Sequence, residues 1–159
     1  MKLPATPIEF EPEFVSSLKT IFEEMVAFNQ VLGLKIVSIK PERVIGRINM
    51  RQDLTGHFSH NRIHGGVISA GLDAMAGLAV MAAIGERHMD EPPAQRLRRF
   101  DKLGTIDLRI DYLRPGIGDS FELRAEVLRL GSRVATVRME FLDADGKLLS
   151  TGAAAYIVS

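Results

Sequence analysis

The feature that most constrains the fold is an apolar run at positions 65–84, with the sequence GGVISAGLDAMAGLAVMAAI. It contains one charged residue, Asp73, and it begins directly after His64 with two glycines. A helix that is apolar on all sides must be buried on most of them. An ionisable group in such a segment is costly unless it is paired, neutralised or used. The run therefore predicts a buried central helix whose carboxylate either bonds to its neighbours or does chemistry.

A membrane span is the alternative interpretation of this run, because it lacks lysine and arginine over a sufficient length. The run is rich in alanine and glycine, however, and neither end carries Trp or Tyr. An Asp at the centre of a spanning helix costs about 3 kcal/mol on insertion scales. These features favour the core helix of a globular protein.

The length and amino-acid composition exclude several classes of protein. The 159 residues suit a single domain, 1–159, and 20 basic residues balance 20 acidic ones. This balance argues against a nucleic-acid binder driven by net charge. The absence of cysteine excludes disulfides and thiol nucleophiles. The first residues lack the apolar segment of a secretory signal, so we expect a cytoplasmic protein.

The remaining periodicity predicts an α+β fold. Apolar spacings of three and four predict an amphipathic helix from Pro12 to Leu32, as part of an N-terminal extension over residues 1–32. Alternation with a period of two predicts strands at 34–40, 43–50, 105–113, 120–130, 134–142 and 148–158. The segments 51–63 and 86–103 read as loops. Short links predict antiparallel neighbours, so we expect a sheet that curves around the central helix.

The start of the central helix is a candidate site for polarising a carbonyl group. Gly65 and Gly66 have backbone N–H groups that lack intrahelical partners and lie at the positive end of the helix dipole. Such groups can form an oxyanion site. Asp73 lies eight residues further on, about 12 Å along the axis. Both can act in one site only if a two-fold dimer brings opposite helix ends together.

His64-Gly65-Gly66 followed by Asp73, together with TIDLRIDYLRPG at 105–116, resembles the hotdog-fold acyl-CoA thioesterases of the phenylacetate-degradation (PaaI-like) type. The resemblance covers most of the chain, from about residue 32 to 158. It implies a curved antiparallel sheet wrapped around the central helix, with active sites at a dimer interface. By this resemblance Asp73 acts as general base or nucleophile, the Gly65 N–H polarises the thioester carbonyl, and His64 shapes the site. It implies no cofactor beyond the coenzyme A of the substrate, no nucleic acid and no membrane span, and a homodimer or dimer of dimers.

The chain departs from the family pattern before the glycine pair. Members usually carry Asn a few residues earlier, whereas this chain reads Gly56-His57-Phe58 and has its nearest Asn at Asn61. Either His57 or Asn61 is a candidate to position water or the carbonyl. A histidine there would also introduce a group that titrates near neutral pH.

Two further sets of residues suggest ligands. His57, His60 and His64 have the close spacing of metal-binding histidines, but the loop lacks a clear carboxylate pattern, so we expect no metal. Guanidinium groups suit the phosphates of coenzyme A. Candidates for binding the substrate are Gly66, Arg96, Arg98, Arg99, Arg114, Arg129 and Arg133.

The predicted function is hydrolysis of acyl-CoA thioesters to free acid and CoA. One alternative is an acyl-CoA sensor without catalysis, which would not need Asp73 together with the glycine pair. A second is a hotdog dehydratase or hydratase, in which a histidine and Asp73 would move protons at carbon. The sequence does not specify the length of the acyl chain.

Overall fold

The computed structural model describes residues 7–159, and over this range an antiparallel sheet packs against one long helix. The helices are α1 (Pro12–Thr20), α2 (Ala27–Leu32), α3 (Gly65–Arg87) and α4 (Pro93–Leu97). The strands are β1 (Lys35–Ile39), β2 (Val44–Asn49), β3 (Thr55–His57), β4 (Arg62–Ile63), β5 (Gly104–Tyr112), β6 (Ser120–Leu130), β7 (Val134–Asp143) and β8 (Leu148–Ile157). Residues 1–6 of the predicted extension lie outside the described part of the chain.

Six strands form the main sheet in the order β1-β2-β6-β7-β8-β5, and β3 pairs with β4 in a separate hairpin. All pairings are antiparallel. The prediction that the short link after β5 joins neighbouring strands is wrong, because β5 pairs with β8 and β6 pairs with β2. The link is held against β4 by the N–H of Ile63, which donates to the carbonyl of Gly116 at 2.9 Å. It therefore crosses the end of the sheet instead of forming a hairpin.

Helix α3 lies against the inner face of the sheet, in contact with β2, β5, β6, β7 and β8. Most residues from Ile68 to Gly85 are buried, including Leu72, Met75, Leu78 and Met81. Gly71 allows the close approach: a Cβ atom there would lie 2.8 Å from Leu123 and 3.0 Å from Ile48. The helix is long and apolar enough to cross a membrane, yet 72% of its most apolar window is buried inside the protein. It is the core helix of the fold.

Strands β2, β6 and β7 follow the predicted alternation between an inner apolar face and an outer polar face over most of their length. In β7, buried side chains alternate at Ala135, Val137, Met139 and Phe141, and the alternation ends at buried Leu142, where the pairing with β8 shifts register. The curved sheet around the central helix confirms the hotdog arrangement implied by the sequence.

The N-terminal helix differs from its prediction. It begins at Pro12 and ends before Gly33, as expected, but a π-helical turn at Ile21–Met25 and an extended Val26 interrupt it. The interruption rotates the following residues, so Met25 and Phe28 are 70% and 59% exposed while Phe22 is buried. The helical spacing predicts that Phe14, Leu18, Ile21, Met25, Phe28 and Leu32 face inward. Phe14, Leu18 and Leu32 are buried as predicted, whereas the prediction is wrong for Met25 and Phe28. We call residues 12–32 the N-terminal arm.

The sequence predicts a loop over segment 86–103, and this prediction is wrong because the segment is largely helical. Helix α3 continues to Arg87, and α4 and a 3-10 turn at Arg98–Lys102 follow. The buried side chain of Arg96 holds α4 in place by donating to Glu11, which precedes α1, at 2.6 Å and to the carbonyl of Gly85 on α3 at 3.2 Å. The prolines and charged residues of this segment are local features of the sequence, and they do not show that Arg96 is buried against residues of other elements.

Candidate active site

Asp73 lies in the middle of α3 and faces two hydroxyl groups from the end of the sheet. Thr105 donates from Oγ1 to Asp73 Oδ1 at 2.9 Å, and Tyr156 donates to the same oxygen. The Tyr156 hydroxyl also lies 2.5 Å from the main-chain carbonyl oxygen of Asp73. Within residues 7–159, Asp73 Oδ2 has no hydrogen-bond partner. One carboxylate oxygen is therefore held, and the other is available for chemistry.

Thr105 and Tyr156 meet Asp73 together because they are direct cross-strand partners on β5 and β8. The β5 strand is irregular between Thr105 and Asp107, where its register shifts. Such bulges re-aim side chains. Tyr156 is 97% buried, and this burial, with the hydrogen bond to Asp73, raises its pKa well above the usual value of 10.0. The phenol stays protonated and remains a hydrogen-bond donor across the physiological pH range.

An open cavity of about 310 Å³ adjoins this group, and Asp73, Thr105 and Tyr156 are its polar residues together with Asn29. The rest of its lining is apolar or glycine: Phe22, Val26, Phe28, Ala70, Ala74, Gly77, Phe100, Leu103 and Gly104. We call this the Asp73 cavity. A carboxylate on the wall of an apolar cavity is suited to act on a group attached to an apolar chain.

At the start of α3, His64 is the N-cap residue, and its Nδ1 accepts a hydrogen bond from the N–H of Gly66 at 2.8 Å. The N–H of Gly65 has no acceptor within residues 7–159. Tyr112 donates its hydroxyl to the carbonyl of Gly65 at 2.9 Å. His64 thus satisfies one of the two glycine N–H groups and leaves the other available for a ligand.

A second cavity, of about 360 Å³, lies beside Gly65 and is lined also by Tyr112 and Arg114. Asp73 does not line it, and Gly65 does not line the Asp73 cavity. Within one chain the structure therefore does not bring Asp73 and Gly65 together. This agrees with their separation of about 12 Å along a straight helix.

His57 and Asn61 lie in the β3–β4 hairpin. The His57 ring stacks on His60, with centroids 4.8 Å apart, and its buried Nδ1 has no hydrogen-bond partner among the described residues. Asn61 is exposed and has a positive φ of 46°, a conformation that Asn tolerates better than most residues. Its position is explained by the turn, and the role of either residue in a reaction stays a prediction. No group of three potential metal ligands lies close together within residues 7–159.

The candidate phosphate-binding arginines fall into two groups. Arg96 is fully buried, and its guanidinium lies 4.4 Å from the centre of the Phe14 ring in addition to its bonds to Glu11 and Gly85. It therefore acts as a structural residue instead of a phosphate ligand, which corrects the prediction. Arg99 is paired with Glu91 at 2.6 Å. The side chains that remain exposed are Arg98, Arg114, Arg129 and Arg133.

Sequence reasoning missed Thr105 and Tyr156. A weak signal was present, since Tyr156 follows three alanines on a strand whose alternate positions face the core. A tyrosine buried in such a place usually finds a hydrogen-bond partner for its hydroxyl. The identity of that partner depends on which part of α3 passes beneath β8.

A family model described as "Thioesterase superfamily" matches residues 60–150, more than half of the chain. The chain belongs to the thioesterase superfamily. The matched region includes the glycine pair, Asp73 and Thr105, so these site residues lie within the part shared with this superfamily.

Named relatives and solved structures agree with this assignment. The chain is 34% identical to "Medium/long-chain acyl-CoA thioesterase YigI" of Salmonella typhimurium, over 89% of this chain and 94% of the relative. The Escherichia coli K12 protein of the same name is 32% identical over the same shares. A crystal structure from Shewanella oneidensis, related to the thioesterase superfamily, is 34% identical and covers 94% of this chain and 100% of its own, with a TM-score of 0.86.

Proposed function

We propose that this member of the thioesterase superfamily hydrolyses acyl-CoA thioesters. The observation that carries the proposal is the Asp73 carboxylate on the wall of an apolar cavity, with Oδ1 held by two hydroxyls and Oδ2 unengaged. The apolar lining suits the acyl chain of the substrate, and the carboxylate of Asp73 is suited to act on the thioester group at the end of that chain. The named function of the YigI relatives supports the same substrate class.

In the proposed reaction, Asp73 Oδ2 removes a proton from a water molecule as that water attacks the thioester carbonyl carbon. Negative charge develops on the carbonyl oxygen and is stabilised by the Gly65 N–H at the positive end of α3. Collapse of the tetrahedral intermediate breaks the carbon–sulfur bond. The CoA thiolate leaves and takes up a proton, giving the free acid and CoA. Direct attack by Asp73 on the carbonyl is the alternative first step.

The proposed site needs two subunits, because Asp73 and Gly65 of one chain open into different cavities. We propose that Asp73 works with Gly65 of the partner subunit across a two-fold interface. Strand β5 supports this, since it has a neighbouring strand on one side only within the described chain. Its Ile106 and Tyr112 are 56% and 54% exposed. Burial of these two side chains against a second copy would remove apolar surface from water and stabilise the dimer.

Arg114 is the arginine best placed for the CoA phosphates. It lines the cavity beside Gly65, is exposed, and donates one N–H to the carbonyl of Leu148 at 2.9 Å. This bond orients the guanidinium while leaving other N–H groups for a phosphate. Arg98, Arg129 and Arg133 are exposed candidates for the more distant phosphates.

The test is thiol release from acyl-CoAs of C2 to C16 and from phenylacetyl- and benzoyl-CoA, with wild type beside Asp73→Asn. We expect kcat/KM to fall by roughly a hundredfold or more in this variant, since it removes the base while keeping the shape. Asp145→Asn is the matched control, because Asp145 is an exposed carboxylate in the turn between β7 and β8 that does not line the Asp73 cavity.

Equal activities of Asp73→Asn and wild type would remove Asp73 from the mechanism. Tight acyl-CoA binding by wild type with no thiol release from any substrate would instead identify an acyl-CoA-binding protein without catalysis.

A further inference from the structure

The N-terminal arm lies outside the matched residues 60–150 and yet forms one wall of the Asp73 cavity. Phe22, Val26 and Phe28 from the arm face Phe100 and Leu103, which precede β5. Between these walls, the floor includes the backbone of Gly77 on α3. A Cβ atom at Gly77 would be in ordinary van der Waals contact with Leu103, Tyr156 and Phe22, at 3.6 to 3.7 Å.

The break in the arm is what gives this wall its shape. A continuous helix over residues 12–32 would turn different side chains toward α3, whereas the π-helical turn and the extended Val26 place Val26 and Phe28 at the cavity. A helix break frees backbone groups, which need new partners when they are buried. The observed conformation supplies those partners.

Several side chains hold the break in place. Buried Asn29 donates from Nδ2 to the carbonyl of Phe22 at 2.9 Å, and Gln30 donates to the carbonyl of Glu24. Glu23 accepts from the N–H of Ile36 on β1 at 2.7 Å, which ties the turn to the sheet. A buried amide with a specific backbone partner makes the break a defined part of the fold instead of a frayed helix end.

We propose that the N-terminal arm forms the subsite for the distal part of the acyl chain and thereby sets the chain length that the enzyme prefers. The proposal rests on the hydrolysis of acyl-CoA proposed above. Asp73 marks where the thioester lies, so the chain extends from Asp73 past Gly77 toward Phe22, Val26 and Phe28. Short acyl groups end before the arm and do not contact it.

The proposed subsite predicts that loss of an arm side chain affects kcat/KM only for substrates with long acyl chains. Phe28→Ala removes an apolar contact that only longer chains make, so we expect kcat/KM for C12- and C16-CoA to fall about five- to tenfold. The value for C2- and C4-CoA should stay within about twofold of wild type. Because Phe28 is 59% exposed, its truncation leaves the core intact.

Met25→Ala is the matched control. Met25 is also a large exposed apolar residue of the arm, but it does not line the cavity, so we expect no change at any chain length. Val26→Trp is the complementary variant: added bulk in the cavity should lower activity on C12- and C16-CoA while activity on C4-CoA is retained.

A second readout separates this inference from the proposed hydrolysis. The affinity for a non-hydrolysable dodecyl-CoA thioether, measured by calorimetry, should fall in Phe28→Ala and not in Met25→Ala. If wild type binds the thioether in this way but releases no thiol from acyl-CoA, the subsite stands and the proposed hydrolysis fails. Equal effects of Phe28→Ala on all chain lengths, or no effect on either readout, would overturn the subsite.

Discussion

The hydroxyl of Tyr156 on β8 is hydrogen-bonded to the carboxylate of Asp73 on α3 and lies 2.5 Å from the carbonyl oxygen of the same residue. One buried side chain thus contacts both the backbone and the functional group of the proposed base. This arrangement holds Oδ1 of the carboxylate and leaves Oδ2 without a hydrogen-bond partner among the described residues. Tyr156 is therefore a positioning residue in the proposed reaction.

Tyr156→Phe should lower kcat about 10- to 100-fold, because a hydrogen bond to a charged group contributes roughly 1.5–3 kcal/mol. KM should change little, since the ring and the cavity wall remain. The measurement is steady-state kinetics on a C12 substrate, with thermal unfolding as a check on folding. Thr151→Val is the control, because it also deletes a hydroxyl on β8, one that bonds to the carbonyl of Met139. A loss of stability with unchanged kcat would show that Tyr156 is structural only.

Gly65→Pro tests the proposed role of the Gly65 N–H. Proline is favoured at the first position of a helix, so the substitution removes the N–H while α3 is retained. We expect kcat to fall about 10²- to 10³-fold, as for the loss of one oxyanion donor. Gly65→Ala keeps the N–H and adds the same Cβ near the Tyr112 ring, at 3.2 Å. If both variants lose activity equally, the cause is this contact and not the N–H.

Glu11→Gln should reveal a pH-dependent contribution to stability. The hydrogen bond from Arg96 holds the pKa of Glu11 below its usual value of 4.5 in the folded protein. Because the folded pKa is the lower one, the carboxylate stabilises the fold fully above about pH 4.5, and this stabilisation is lost as pH falls through the folded-state pKa. We expect a loss of about 1 kcal/mol near neutral pH, limited by solvent screening of the partly exposed carboxylate.

Urea unfolding of wild type and Glu11→Gln from neutral to acid pH measures this difference. The two curves should converge at the acid end. Glu13→Gln is the control, because Glu13 is exposed and makes no ion pair in the described chain. A stability difference that persists unchanged into acid would rule out the charge of Glu11 as its source.

Gly33→Ala tests the end of the arm. Gly33 has a φ of +69° and caps α2, and an alanine in this conformation costs about 1–2 kcal/mol. The expected fall in Tm is about 2–8 °C for a domain of this size. Gly33→Asn should lose less stability, because Asn tolerates positive φ. In both variants the added Cβ lies 2.6 Å from the Arg51 guanidinium. Equal losses would assign the cost to that contact instead of the backbone.

The sequence by itself determined the parts of the fold that depend on local periodicity. The apolar run with Asp73 predicted the central helix, and the alternation after residue 104 predicted four strands within a residue or so of their ends. Asp73 and Gly65 were identified as candidates because a lone carboxylate in an apolar helix, and glycines at its start, are visible in the sequence. Each of these signals arises from residues that are neighbours along one element.

The tertiary structure alone decided which distant residues meet. It joined Asp73 to Tyr156, residues that are separated by most of the sheet in sequence, and it enclosed Arg96 between Glu11 and Phe14. It also interrupted the arm at Val26, where buried Asn29 donates to the freed carbonyl of Phe22 and Glu23 ties the turn to Ile36 and Lys35 of β1. A periodic pattern records which side of an element faces the core. The partner that a buried polar group finds there depends on how the elements pack, and this is a property of the whole chain.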